Sequence, residues 1–161
     1  AAAIDLIGLS HLTNRIAGHH KGSYRRIGAS EVIDMLRAKP VQVRHKAILI
    51  RINQLYRSNM TAKELYEATR GIWVVAKWRR AWAEYGIAVY QGIVREVYRI
   101  QEWYPAGTLE YRTRDTERFE SSDRWEFKGV VATDIRDQYV GHSVASYFGK
   151  GARNPIRYTD A

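Results

Sequence analysis

The stretch "YGIAVYQGIVREVYRIQEW", Tyr85 to Trp103, decides the fold. Two runs rich in Ile, Val and Tyr are separated only by Gln91 and Gly92, and a glycine-containing two-residue link between β-rich runs predicts a tight hairpin. An antiparallel strand pair is therefore expected at the centre of the chain. On its N-terminal side, "KAILIRIN" (Lys46 to Asn53) is Ile-rich and ends in alternation, which predicts a mostly buried strand with Arg51 at its end. "TAKELYEATR" opens with a capping box, Thr61 and Glu64, and is followed by Gly71, so a helix is expected from about Ala62 to Arg70. "GIWVV", short, β-branched and bounded by Gly71, predicts a second strand. "SEVIDMLRAKP", with Ser30 at the cap position and Pro40 as a stop, predicts a short helix.

C-terminal to the hairpin, "TLEYRTRDTERFESSDR" (Thr108 to Arg124) is charged and lacks apolar periodicity over most of its length, the pattern of a long loop. "RWEFKGVVA" predicts a strand bent at Gly129, "DIRDQYVGHSVASYF" a turn and short helix, and "NPIRY" a last extended piece. The expected organisation is an irregular basic arm over residues 1–28 and a single α+β domain over 29–161, built as a small curved mixed sheet or open β-barrel with short flanking helices.

Charge narrows the partner. The 161 residues include 26 Lys and Arg against 17 Asp and Glu, a formal net charge of +9. That balance is the electrostatic footprint of a polyanion binder. Five Trp and eleven Tyr interleaved with arginine favour a partner having both phosphates and rings, which nucleic acid supplies. A basic protein-interaction module that grips an acidic protein surface carries the same balance and stays open as a separate reading.

The chain has no cysteine, which removes disulfides, thiolate metal sites and a cysteine nucleophile, and favours an intracellular, cytoplasmic setting. Its apolar runs, such as "AILI", fall far below the roughly 20 residues that span a bilayer, so a soluble protein with no membrane partner is expected. No signal-peptide pattern opens the chain. The opening "AAAIDLIG" is that of a processed product, a cloning remnant or a domain of a longer protein.

"TRGIWVVAKWRRAW" (Thr69 to Trp82) raises the question of packing against contact. If "AKWRRAWAEY" is helical, Trp78 and Trp82 are neighbours at i and i+4, while Lys77, Arg80 and Glu84 share another face. The tryptophans then read as structural and the arginines as the contact candidates.

Among catalytic chemistries, no "HExxH" motif is present, and the adjacent His19 and His20 would point apart on a regular element, so no metal site is expected from histidine. His142-Ser143 lacks the "GxSxG" surroundings of a hydrolase nucleophile. "DRWEFK" offers one enzyme alternative. Glu126 and Lys128 alternate on a strand after Asp123, an arrangement by which a magnesium-dependent restriction-type or repair nuclease holds a cation and orients water. Asp115 or Asp134 could be its upstream acid, and magnesium is the cofactor that this alternative alone requires.

For a non-catalytic binding domain, which needs no cofactor, Arg57, Arg79, Arg80, Lys150 and Arg153 are the candidates for neutralising phosphates. Trp73 and Trp103 are candidates for stacking a base, and Asn53 and Asn154 for bonding a base edge. Arg70, before Gly71 and Trp73, sits at a helix end, where a cation also complements the dipole. "GKGARNP" joins two glycines to Lys150, Arg153 and Asn154, a combination suited to a phosphate or base contact, though it lacks the order of a P-loop.

The succession "ILIRIN", "ELYEATRGIW", "YGIAVYQGIVREVYRIQEW", "RWEFKG" and "GKGARNPIRY", over about residues 46–158, resembles a group of prokaryotic proteins and is similar in layout to PUA-like domains, the superfamily of EVE, ASCH and YTH modules. The ASCH motif "GxKxxExR" is absent. The resemblance implies a small curved barrel that reads RNA or modified DNA bases. In modification-dependent restriction enzymes such modules are joined to a nuclease domain. It therefore favours a reader of a modified or flipped base, DNA over RNA, with a nuclease domain or subunit as a further partner.

Overall fold

The computed structural model describes residues 29–115, 123–149, 151 and 153–159. The chain divides into two compact units, Ala1–Ala38 and Lys39–Ala161. In the first, the described part is helix α1 (Ala29–Arg37), followed by Ala38, whose N–H donates to the Asp34 carbonyl. The expected arm, residues 1–28, lies outside the described residues.

The second unit contains β1 (Ala47–Arg51), α2 (Ala62–Arg70), α3 (Lys77–Trp82), β2 (Tyr85–Tyr90), β3 (Ile93–Pro105), β4 (Trp125–Val131), α4 (Arg136–Tyr139), a 3-10 turn (Ala145–Tyr147) and β5 (Ile156–Tyr158). The strands form one mixed sheet in the order β4-β3-β2-β1-β5, which does not close. β1 runs parallel to β2, and every other neighbour is antiparallel. The architecture is α+β with few short helices.

The hairpin forms as expected. Gln91 and Gly92 both take positive φ, 50° and 77°, as a two-residue turn matched to strand twist requires. At Gly92 a Cβ would also meet that of Ala145 at 2.9 Å, so glycine serves the turn and the packing together. The β1 run "AILI" is buried on both faces, which is why it lacks a polar alternation. Ala47 and Leu49 join Ile87, Val89, Val97 and Tyr139 in one core, while Ile48 and Ile50 join Tyr98, Phe127 and Ile156 in the other. Fully burying each such aliphatic side chain contributes about 1.5–3 kcal/mol of transfer free energy.

Two expectations need correction. "GIWVV" is not a strand: only Trp73 pairs, in an antiparallel bridge with Trp125. Trp125 is the first residue of β4, and the chain leaves after that one pair, with Val75 buried, Val74 exposed and α3 beginning at Lys77. The second correction concerns α3. It is helical as expected but only six residues long, too short to bury an apolar stripe, and Trp78 is 63% exposed instead of packed. No helix among the described residues is long and apolar enough to cross a membrane.

Candidate nucleic-acid interface

Beyond the end of β1 the chain enters a cleft of about 520 Å³, within the range of small-molecule and nucleotide sites. Four stretches distant in sequence line it: Arg51 to Leu55, Ile72 with Trp73, Arg114 with Arg124, and Arg153 with Pro155. Four of these residues are arginines, and no Asp or Glu lines the cleft among the described residues. A shallower depression of about 350 Å³, beside Pro40, Val41, Gln42, Ser146 and Tyr147, has no charged residue in its lining.

The cleft side chains are held by the fold. Trp73 and Trp125 exchange backbone hydrogen bonds of 2.9 and 2.8 Å, and the Trp73 indole N–H donates to the Thr69 carbonyl at 2.8 Å. The half-buried indole is thus fixed before any ligand arrives. Arg114 Nη1 donates to the carbonyls of Glu67 and Gly71 at 3.1 and 2.7 Å, and Arg124 Nη1 to that of Ile72 at 3.3 Å. The Arg51 guanidinium lies 5.3 Å from the centre of the Phe148 ring. Asn53 Oδ1 accepts the Gln91 N–H at 2.9 Å, so its amide NH2 is the group left to offer a ligand. Arg153 is exposed.

Arg114 reaches the cleft because two buried carboxylates hold the loop that carries it. Glu67 accepts the N–H of Thr113 at 2.8 Å, its hydroxyl at 2.5 Å, and the N–H of Arg112 at 3.1 Å. Burial raises the Glu67 pKa, but these hydrogen bonds outweigh it and hold the carboxyl below its usual value. Glu126, fully buried, accepts the Leu109 N–H through Oε1 at 2.7 Å. Burial first, and then the Glu126 carboxylate, keep the Tyr111 phenol protonated well above its ordinary range. Gly71 lies under this loop: a Cβ there would come within 2.7 Å of Glu126 Cβ and would strike the Tyr111 hydroxyl.

Of the residues singled out from the sequence, the cleft brings together Asn53, Trp73 and Arg153. Asn154, next to Arg153, is exposed and caps the turn into β5, its Oδ1 accepting the Ile156 N–H at 2.9 Å. The others lie elsewhere. Arg57 pairs with Glu64 at 3.1 Å. Arg70 is buried, 4.1 Å above the Tyr111 ring, and donates to the Glu110 carbonyl. Trp103 packs edge-on against Phe127. Arg79 lies over Trp78 and Tyr158 at 4.0 and 4.3 Å, and Arg80 over Trp125. Lys150 lies outside the described residues.

Of the nuclease candidates, Glu126 is committed to the loop in the interior, whereas Lys128 is exposed on β4 opposite Glu102. Asp134 is paired with Arg99 at 2.5 Å. Sequence reading missed Arg114 and Arg124 as cleft residues, and it noticed Arg51 only as the end of a strand. The absence of acidic residues around three of the four lining stretches was the available signal; the long polar loop gave no periodicity to show which of its arginines turns inward.

As a chemical environment the cleft offers planar guanidinium donors, one anchored aromatic face and an amide donor. Such a set suits a ligand with anionic oxygens and a flat ring. Comparison of the chain with protein families, with curated proteins and with solved structures found no match to any of them.

Proposed function

We propose that the chain is a nucleic-acid-binding module, acting on DNA in preference to RNA, whose arginine-lined cleft receives an extruded or modified base together with its flanking phosphates. The carrying observation is the coincidence, in one cleft, of four arginines with the immobilised Trp73. Guanidinium groups pair with phosphate oxygens through parallel N–H donors, and a preset indole stacks a base without losing side-chain freedom on binding. The Asn53 NH2 would then meet an acceptor on the base edge. In this reading the open mixed sheet is a PUA-like module, a nuclease domain or subunit is a natural companion, and the cytoplasm is the compartment where the partner is met.

The reading is tested by incubating the protein with labelled duplexes, unmodified or carrying modified cytosine or adenine, with and without magnesium, and scoring retention and cleavage on one gel. Retention without cleavage, stronger for one modification and lost in Trp73→Ala, is the expected result. Equal retention of all duplexes would remove base reading, and no retention would remove the function. Magnesium-dependent fragments would favour the nuclease alternative.

A further inference from the structure

The most exposed aromatic ring among the described residues lies outside the cleft. Trp78 in α3 is 63% exposed, as is Val74 shortly before it. The Arg79 guanidinium lies over the Trp78 ring at 4.0 Å and is itself held 4.3 Å above the Tyr158 ring and 5.5 Å from that of Trp82. One side of the indole is therefore backed by a cation that other rings keep in place. Neither Lys77 nor Arg79 has a carboxylate partner among the described residues, in contrast to Arg57, Arg99 and Arg136. An aromatic plate flanked by two uncompensated cations is complementary to a base with its phosphates.

Its placement relates it to the cleft. Pro155 lines the cleft immediately before β5, and Tyr158, at the end of β5, is the ring that supports Arg79. Three residues at about 3.3 Å each separate these positions by about 10 Å along β5.

We infer that α3 carries a second, stacking subsite: an unpaired base of the strand leaving the cleft stacks on Trp78, and Lys77 and Arg79 meet the phosphates beside it. This rests on the nucleic-acid reading of the cleft and extends the bound ligand from one nucleotide to a segment of single strand. An exposed Trp and Val beside basic residues also fits an anionic lipid surface. Nucleic acid is favoured because the arginine cleft adjoins the start of the three-residue strand β5 and Arg79 lies against Tyr158 at its other end, so cations flank both ends of one short strand.

The test compares the wild type, Trp78→Ala, Trp78→Phe and Arg153→Ala on three probes: a labelled single-stranded oligonucleotide, one nucleotide phosphorylated on both sides, and vesicles of anionic phospholipid. Trp78→Ala is expected to weaken oligonucleotide binding by about 5- to 100-fold, with Trp78→Phe recovering most of it and single-nucleotide binding unchanged. Arg153→Ala is expected to weaken both nucleic-acid probes. Wild-type binding of the oligonucleotide that Trp78→Ala leaves intact would overturn the subsite while sparing the cleft. Vesicle binding that depends on Trp78, without oligonucleotide dependence, would assign the surface to lipid and overturn it as well. Failure of the wild type to bind either nucleic-acid probe would overturn the cleft reading and the subsite together.

Discussion

The Arg80 guanidinium lies 3.4 Å above the centre of the Trp125 ring, and the same side chain donates to the Val75 carbonyl. Trp125 is also the residue that pairs with Trp73, so the Arg80 side chain is packed against the bridge that holds Trp73. Burial accordingly lowers its pKa below the usual arginine value. Arg80→Ala is expected to lower unfolding stability by about 1–2 kcal/mol through the lost cation–π contact and stem packing, with the salt dependence of nucleic-acid binding unchanged. Urea denaturation and a salt titration of binding, run on the same variant, measure the two effects. A shallower salt slope at unaltered stability would return Arg80 to the phosphate contacts.

Around α3 the packing differs from the sequence reading: Trp78 is exposed, while Arg80 lies against the Trp125 ring. Helical spacing correctly related Trp78 to Trp82, but spacing alone does not reveal that a six-residue helix has room to bury only part of that face. The hairpin and α2 were legible because their signals are local: Gln91-Gly92 makes its own turn, and Thr61 and Glu64 bond each other. β1 was legible because a strand buried on both faces has to be apolar throughout. The cleft was not, since Arg114 and Arg124 gain their positions from carbonyls of Glu67, Gly71 and Ile72, more than forty residues away, and no local pattern encodes that pairing. Trp73 was recognised as a candidate from its residue type while its surroundings were misread, because one bridging pair and a strand share the same β-branched composition.

Glu126 is expected to act through the fold. Truncation in Glu126→Ala leaves the Leu109 N–H unpaired and empties a buried position, so stability should fall by about 1–3 kcal/mol and the loop over residues 106–115 should lose amide protection. Denaturation together with hydrogen exchange checks this. A nuclease role would appear differently, as loss of magnesium-dependent cleavage in Glu126→Gln with stability and DNA retention preserved.

Acid should release the same loop through Glu67. Its folded-state pKa is depressed below the usual 4.5, because hydrogen bonds from Thr113 and Arg112 outweigh burial. A depressed carboxyl contributes stability that is fully present above its unfolded pKa and is lost as pH falls through the lower, folded value. Amide protection at Arg112 and Thr113 is therefore expected to hold at neutral pH and decline as the pH drops below about 4.5, a dependence that Glu67→Gln should flatten. Protection factors at these two amides, with the intrinsic pH dependence of exchange removed, that ignore acidification in the wild type would contradict the assignment.

The arginines singled out from sequence can be separated by salt. Arg153 lines the cleft and is exposed, whereas the Arg57 charge is matched by Glu64. Each phosphate neutralised on binding steepens the fall of log affinity with log salt by about 0.9 for duplex and about 0.7 for single-stranded nucleic acid. Arg153→Ala should therefore make that slope shallower by nearly one phosphate's worth and weaken binding at low salt far more than at high salt. Arg57→Ala should leave the slope unchanged, and its effect should appear instead as a small loss of stability from an exposed ion pair. Affinity titrations of both variants across a salt series decide the matter. If Arg57 carries the slope and Arg153 does not, the phosphates follow the start of α2, and the cleft holds a ligand of another kind.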